Sequence, residues 1–360
     1  MTATNTIENA IVPFVKNAWY IAAWAEELDD GMISRTIMNK PLVIFRDAEG
    51  KVGVLEDRCC HRGAPLTHGE VITEGLQCGY HGLVFDTTGA CVMIPGQKNI
   101  PPDARVTAYP VVEQNQIIWI WTGDPALADE SKIVAYPYHD QPDKWPHRKA
   151  MFQIKSNYML MIDNLMDLTH LGYVHTKTIG GNPNQHVAAE METRPTDNGA
   201  YFIRWMLDHK PPPTYVKGGK FEGNVDRWQE FEYVAPSIVL QWSGALEMGK
   251  GAKENRDQEG FHLRLLHAAT PETETTFHYF WSTSNGYRQD DPQATQEMYE
   301  EIYPTFIEDQ VIMGVQQDRI NLDPDRGLVA IHADSALALG RIAVGKMLEK
   351  EQVQVSQAAE

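Results

Sequence analysis

The four cysteines of this 360-residue chain fall within 33 residues, and three of them lie close to histidines. Cys59-Cys60-His61 is followed by Cys78-Gly79-Tyr80-His81, so each half offers a thiolate and an imidazole on a short segment, as C-x-H and C-x-x-H. Structural zinc sites usually place two cysteines in one knuckle and two histidines in the other. Here both knuckles are mixed, which suits a two-iron cluster with both thiolates on one iron and both imidazoles on the other. Neutral imidazoles replacing thiolates remove negative charge and raise the reduction potential, so such a centre accepts electrons readily and passes them on. Gly63, Gly69 and Gly82 suit tight turns around it. The alternative is an ordinary zinc knuckle, which would give a colourless protein. Cys60 and Cys91 are left as bystander thiols.

A second set of ligand-type residues lies in DNLMDLTHLGYVH, from Asp163 to His175. On one straight helix, at about 100° per residue, Asp163, Asp167 and His170 share a face about 60° wide. They stand among Leu160, Ile162, Leu165, Met166 and Leu168, where uncompensated charge is costly to bury. His175 is five residues beyond His170. It reaches the same ion only if the helix bends or ends between them, and Gly172 is the expected place. Two satisfied core histidines are the competing reading.

Two histidines call for a carboxylate, because two His and one Asp or Glu form the facial triad that holds ferrous iron open to dioxygen. A helical stretch at 293–320 offers Glu308 and Asp309. Met298, Ile302, Phe306, Met313 and Ile320 form its apolar stripe; Asp309 falls on that stripe, while Glu308 points about 120° away from Ile302. Asp309 is therefore the expected ligand, provided that Pro304 does not rotate the earlier positions.

The elements that carry these residues fall into two textures. From Phe14 to Trp121, short segments such as PLVIFRD and QIIWIW alternate with Gly, Asp and Pro turns, as strands do. Residues 123–146 are polar, hold four prolines and read as a junction. Helical texture at 158–173 gives way to strand-like segments over 200–285, then to helices near 293–320 and 335–351. The expected architecture is a small all-β domain at 14–136, then an α+β domain at 137–345 with an antiparallel sheet flanked by helices, and a tail at 346–360. HKPPPTYVKGGKFEGN (209–224) reads as a loop over the site whose lysines attract a carboxylate.

A balance of 31 basic against 49 acidic residues, net −18, argues against nucleic acid or an anionic membrane as partner. No apolar run approaches the roughly 18 residues of a membrane span. The N-terminus shows no basic segment leading into an apolar one, and the expected compartment is the cytoplasm.

Taken with NAWYIAAW, HRGAPL, LQCGYHGLVFD, MIDNLMDLTHLGYVH and TPETETTFHYFW, the chain resembles the oxygenase components of Rieske non-haem iron oxygenases over nearly its whole length. Within them it is most similar to vanillate O-demethylase oxygenase subunits and their dicamba-demethylating relatives. The resemblance implies a Rieske [2Fe-2S] cluster on Cys59, His61, Cys78 and His81, and mononuclear Fe(II) on His170, His175 and Asp309. It also implies that Asp167 bridges the cluster of one subunit to the iron of its neighbour, with Asn164 near that iron. Further implications are a homotrimer, a separate NADH-dependent reductase carrying flavin and a ferredoxin-type cluster, and a small aromatic substrate. The implied reaction is O2-dependent O-demethylation of a methoxylated aromatic acid, with N-dealkylation or hydroxylation by the same machinery as alternatives. His267, just before TPET, resembles a histidine that contacts an acidic substrate; Gln241 and Trp242 are expected to line the pocket. Cys60 stands where most relatives have proline. An electron-transfer or zinc-stabilised protein without catalysis is the rival of another class, but it leaves the second ligand set unexplained.

Overall fold

A computed structural model describes residues 6–7, 11–176, 178–180 and 182–358. The chain divides into two units, Lys16–Ala135 and the combination of Met1–Val15 with Tyr136–Glu360.

The first unit is built from short antiparallel strands: β1 (Trp19–Trp24), β2 (Ile33–Ile37), β3 (Lys40–Arg46), β4 (Val52–Glu56), β5 (Glu70–Ile72), β6 (Gly75–Gln77), β7 (Val84–Phe85), β8 (Cys91–Met93), β9 (Val111–Gln114) and β10 (Ile117–Trp121). They form three sheets, ordered β9-β10-β1, β2-β3-β4 and β5-β6-β7-β8. Every residue of β1 is buried, which accounts for its unbroken apolar run. Val43, Phe45, Leu55, Leu66, Leu76 and Phe85 make a core that also contains Cys59 and Cys78.

The second unit is organised by a seven-stranded antiparallel sheet. Its strands are β11 (His147–Ile154), β12 (Glu190–Thr196), β13 (Gly199–His209), β14 (Val225–Val234), β15 (Ile238–Glu247), β16 (Phe261–Thr273) and β17 (Thr276–Asn285), in the order β11-β17-β16-β15-β14-β13-β12. Side chains alternate between faces along a strand. In β14, Arg227, Gln229 and Phe231 therefore share a face with Gln241 and Ser243 of β15, through the pairs Phe231↔Gln241 and Gln229↔Ser243. Trp228 and Trp242 belong to the opposite face, where Trp242 stacks with the guanidinium of Arg264 at 3.8 Å.

The helices are α1 (Tyr158–Met166), α2 (Leu171–Val174), α3 (Pro183–Ala188), α4 (Pro213–Gly219), α5 (Pro292–Ile320) and α6 (Ser335–Ala358). Asn157 caps α1 by accepting from the Met159 N–H at 3.1 Å, and its own N–H donates to Gln317 Oε1 of α5 at 2.7 Å. That pair ties the start of one site-bearing helix to the other.

Four expectations change here. The stretch 158–173 is not one helix: α1 stops at Met166, Asp167 is extended (φ −128°, ψ 101°), and a single 3-10 turn covers Leu168–His170. The cause is local, since the Asp167 carboxylate accepts from the Thr169 N–H at 2.9 Å and offers the backbone a cap in place of continued helix. Gly172 is not the bend; a Cβ there would meet Pro183 of α3 at 2.6 Å, so this glycine allows close approach. Residues 346–358 do not form a separate tail but continue α6, having no Pro or Gly to stop it; residues 359–360 lie outside the described residues.

The segment 209–224 is not all loop either, because PTYVKGG folds as α4. By contrast α5 runs unbroken through Pro304, so the helical phase holds along its length.

Candidate metal centres

In the first unit two loops repeat one design. The Cys59 N–H donates to the Ala64 carbonyl at 2.8 Å and the Gly63 N–H to the Cys59 carbonyl at 2.9 Å. The second loop matches it: Cys78 N–H to Leu83 carbonyl at 2.8 Å, Gly82 N–H to Cys78 carbonyl at 3.0 Å. Gly63 and Gly82 both have positive φ (72° and 73°), which closes each turn without a Cβ penalty. The loops bring His61 and His81 edge to face, with ring centroids 4.6 Å apart, on the exposed side. Cys59 and Cys78 are buried beneath, and burial pushes the metal-free Cys59 thiol up to about 11, with the neighbouring Cys78 adding to the rise. Ligation must therefore displace the proton that the Cys59 thiol otherwise holds. Thiols inside and imidazoles outside fit a cluster with one buried and one exposed iron. Cys60 is exposed, and Cys91 is buried with its thiol against the Met93 carbonyl at 3.3 Å.

In the second unit, His170, His175 and Asp309 bring one ligand atom each to within 4.8 Å of the others, the one such set among the described residues. His170 follows the break at Asp167, and its Nδ1–H donates to the Asp167 carbonyl at 2.6 Å. His175 caps the end of α2, and its Nδ1–H donates to Glu308 at 2.8 Å. Both rings thus spend Nδ1 on an anchoring acceptor and turn Nε2 inward, the arrangement that orients metal-binding imidazoles. Asp309 Oδ1 lies 3.2 Å from His175 Nε2 and 3.8 Å from His170 Nε2. Asp309 and His175 are fully or nearly fully buried, and His175 Nε2 has no hydrogen-bond partner. A buried carboxylate facing two inward nitrogens fits a divalent iron ion.

Burial opposes charge on both rings. It lowers the pKa of His170, whereas at His175 the Asp309 and Glu308 carboxylates outweigh it and raise the pKa. Asn164 Nδ2 donates to Asp309 Oδ1 at 3.0 Å and holds the carboxylate from α1.

The structure revises two of the sequence expectations around this centre. Asp163 does not join the cluster; its carboxylate meets Arg341 of α6 at 3.0 and 2.5 Å, because the break at Asp167 separates the two aspartates. Glu308 does not point away from the site, since its side chain reaches back to His175 Nδ1 and also accepts from Thr178 Oγ1 at 2.9 Å. Helical periodicity carried no signal for that role.

A cavity opens beside the three ligands, lined by Leu165, Leu168, Ile302 and Phe306 among its apolar residues. His267 and Gln241 line it; Trp242 does not, because strand alternation turns it to the other face. His267 is buried and neutral, its pKa pushed down to about 3 by burial. The Tyr279 hydroxyl, whose pKa burial raises, donates to His267 Nδ1 at 2.6 Å, and Nε2–H donates to Gln241 Oε1 at 2.9 Å. Gln241 Nε2 then donates to Ser243 Oγ at 2.6 Å. Lys217 of α4 is engaged by Glu301 at 2.8 Å and is exposed, so it does not serve the cavity. Arg227 and Gln229 line the cavity and were missed from sequence, although their shared parity with Phe231 in β14 was the available signal.

Comparison with known proteins agrees with both centres. Residues 18–110 match the Rieske [2Fe-2S] domain, and residues 154–350 match the vanillate O-demethylase oxygenase C-terminal domain. The iron-sulfur subunit of the toluene-4-sulfonate monooxygenase system of Comamonas testosteroni is 39% identical, over 94% of this chain and 98% of its own. A vanillate O-demethylase oxygenase subunit from a Pseudomonas species is 33% identical, over 94% and 96%. The crystal structure of dicamba monooxygenase bound to 3,6-dichlorosalicylic acid superposes with a TM-score of 0.87 at 31% identity, covering 95% of this chain and 99% of that one. The mixed Cys/His loops lie within the first matched region and His170, His175 and Asp309 within the second, and the chain belongs to the Rieske non-haem iron oxygenases of the vanillate O-demethylase type.

Proposed function

We propose that the chain is the terminal oxygenase that O-demethylates a methoxylated aromatic acid resembling vanillate. The observation that carries this reading is the apolar cavity opening directly on His170, His175 and Asp309. The balanced reaction is ArOCH3 + O2 + 2 e⁻ + 2 H⁺ → ArOH + HCHO + H2O. Hydroxylation of the methyl group forms a hemiacetal, which collapses to a phenol and formaldehyde.

Cys59, Cys78, His61 and His81 would hold the Rieske cluster, and His170, His175 and Asp309 the ferrous ion. When bound, the cluster would supply electrons one at a time and the ferrous ion would supply dioxygen activation. The remaining residues position and exclude. Glu308 and the Asp167 carbonyl fix the two imidazoles, Asn164 steers Asp309, and Leu165, Leu168 and Phe306 keep water from the reacting methyl group. The Tyr279–His267–Gln241–Ser243 chain orients polar groups along the cavity wall.

Electrons would come from a separate NADH-dependent reductase with flavin and a ferredoxin-type cluster. In a homotrimer they would cross from His81 of one subunit through Asp167 of the next. Partial exposure of Asp167 and the exposed position of His81 support that route. Four cysteines without a disulfide support a cytoplasmic setting. No helix among the described residues is long and apolar enough to cross a membrane.

Hydroxylation of an aromatic sulfonate's methyl group is the second reading, favoured by the 39% identity to the toluene-4-sulfonate system. Incubating the holoenzyme and a surrogate reductase with methoxybenzoates and with 4-methylbenzenesulfonate separates the two. Formaldehyde from the former supports O-demethylation; a benzyl alcohol from the latter alone overturns it.

A further inference from the structure

We propose that Arg227, with Gln229 and Ser243, forms an oxyanion subsite that holds the carboxylate or sulfonate of the substrate. Arg227 is 4% exposed and lines the same cavity as the three iron ligands. Its guanidinium lies over the Tyr215 ring at 4.5 Å, Nε is buried without a hydrogen-bond partner, and no carboxylate pairs with it among the described residues. A buried cation without a counter-ion is costly, and an anionic ligand removes that cost. The neighbouring Gln229 also has a buried amide oxygen without a partner. Turning that amide presents its NH2 to the anion as a second donor. Ser243 Oγ accepts from Gln241, which leaves its hydroxyl proton free to donate.

The other polar groups are less suited. His267 has both ring nitrogens engaged by Tyr279 and Gln241, and it is neutral. Arg204, also buried, donates to the His186 carbonyl at 2.5 Å and is not part of the cavity lining. Arg227 is thus the cation available to an acid inside the cavity, and a guanidinium matches carboxylate and sulfonate oxygens in a two-pronged fashion.

The subsite rests on the aromatic-acid reading above, so its test measures binding apart from turnover. Dissociation constants are determined anaerobically for the iron-loaded holoenzyme with 4-methoxybenzoate, 4-methoxybenzenesulfonate and the neutral 4-methoxybenzamide. Wild type, Arg227→Gln, Arg227→Lys and His267→Gln are compared, with iron content and visible spectrum as checks on folding. Arg227→Gln is expected to weaken the two acids at least about tenfold and the amide less than about threefold, with Arg227→Lys recovering part of the loss. The ratio of carboxylate to sulfonate affinity in wild type identifies which acid the subsite prefers. Equal weakening of acids and amide, no weakening, or acid-selective loss in His267→Gln alone overturns the subsite. If wild type binds the acids in an Arg227-dependent manner yet releases no formaldehyde, O-demethylation fails and the subsite stands.

Discussion

The Glu308 carboxylate lies 2.8 Å from His175 Nδ1, while Asp309, the next residue of the same helix, lies 3.2 Å from Nε2 of that ring. Two consecutive acidic residues thus flank one imidazole, Glu308 hydrogen-bonded to Nδ1 and Asp309 facing the unpartnered Nε2. Asp309 belongs to the buried stripe of α5, and Glu308 reaches the ring from the partly exposed flank.

That division of labour predicts distinct losses. Asp309→Ala should abolish binding of the mononuclear iron, whereas Glu308→Ala should retain a site weakened about 10–100-fold. Ferrous titration of each variant, with the cluster's visible absorption as an internal control, measures both. Equal iron affinity in wild type and Glu308→Ala would remove Glu308 from the centre.

Asp167 contributes two different groups: its carbonyl anchors His170 and its carboxylate caps the turn at Thr169. Asp167→Asn keeps the carbonyl and a capping oxygen, so both metals should remain bound. If the carboxylate carries electrons between subunits, product per reduced cluster should nevertheless fall at least about tenfold in a single turnover. Undiminished yield would assign Asp167 a structural role alone.

Much of this site was legible in residue types and spacing. The mixed Cys/His pairs, His170 and His175, and the stripe that selects Asp309 over Glu308 all follow from short-range chemistry and helical period. The break at Asp167 was not legible, because a side-chain cap overrode an otherwise helical apolar pattern. The partners of Asp163 and of Glu308 depend on tertiary packing of α6 and α2, and a single helix's periodicity contains neither. Trp242 was misassigned by ignoring alternation, which places it and Gln241 on opposite faces of β15.

The Asp163–Arg341 pair joins α1 to α6 in a largely buried setting. Burial raises the Asp163 pKa against the opposing pull of Arg341, so the carboxylate depends on its partner. Arg341→Met should cost about 3 kcal/mol of unfolding free energy by stranding that carboxylate. The double variant Asp163→Leu with Arg341→Met should regain most of it, as denaturant unfolding of the two proteins will show.

Acid stability follows from two buried histidines. Burial holds His267 near 3 and His186 near 4, against an ordinary 6.5. Between those values and 6.5 the unfolded chain binds protons that the folded chain does not. Stability from these groups is therefore full above 6.5 and falls as pH drops through the window, by up to about 1.4 kcal/mol per pH unit for each. Unfolding free energies measured from pH 7 to pH 5 should show this slope, reduced by about one proton in His267→Gln.

The central claim, that both metal centres act together on a methoxylated aromatic acid, is tested by one single-turnover measurement. Holoenzyme with a reduced cluster and ferrous centre, free of reductase, is mixed with vanillate and O2, and formaldehyde is quantified against oxidised cluster. The account predicts formaldehyde and the corresponding phenol in equal amounts from wild type, and none from Asp309→Ala with its cluster intact. Cluster oxidation without formaldehyde in wild type, or equal formaldehyde from Asp309→Ala, would contradict it.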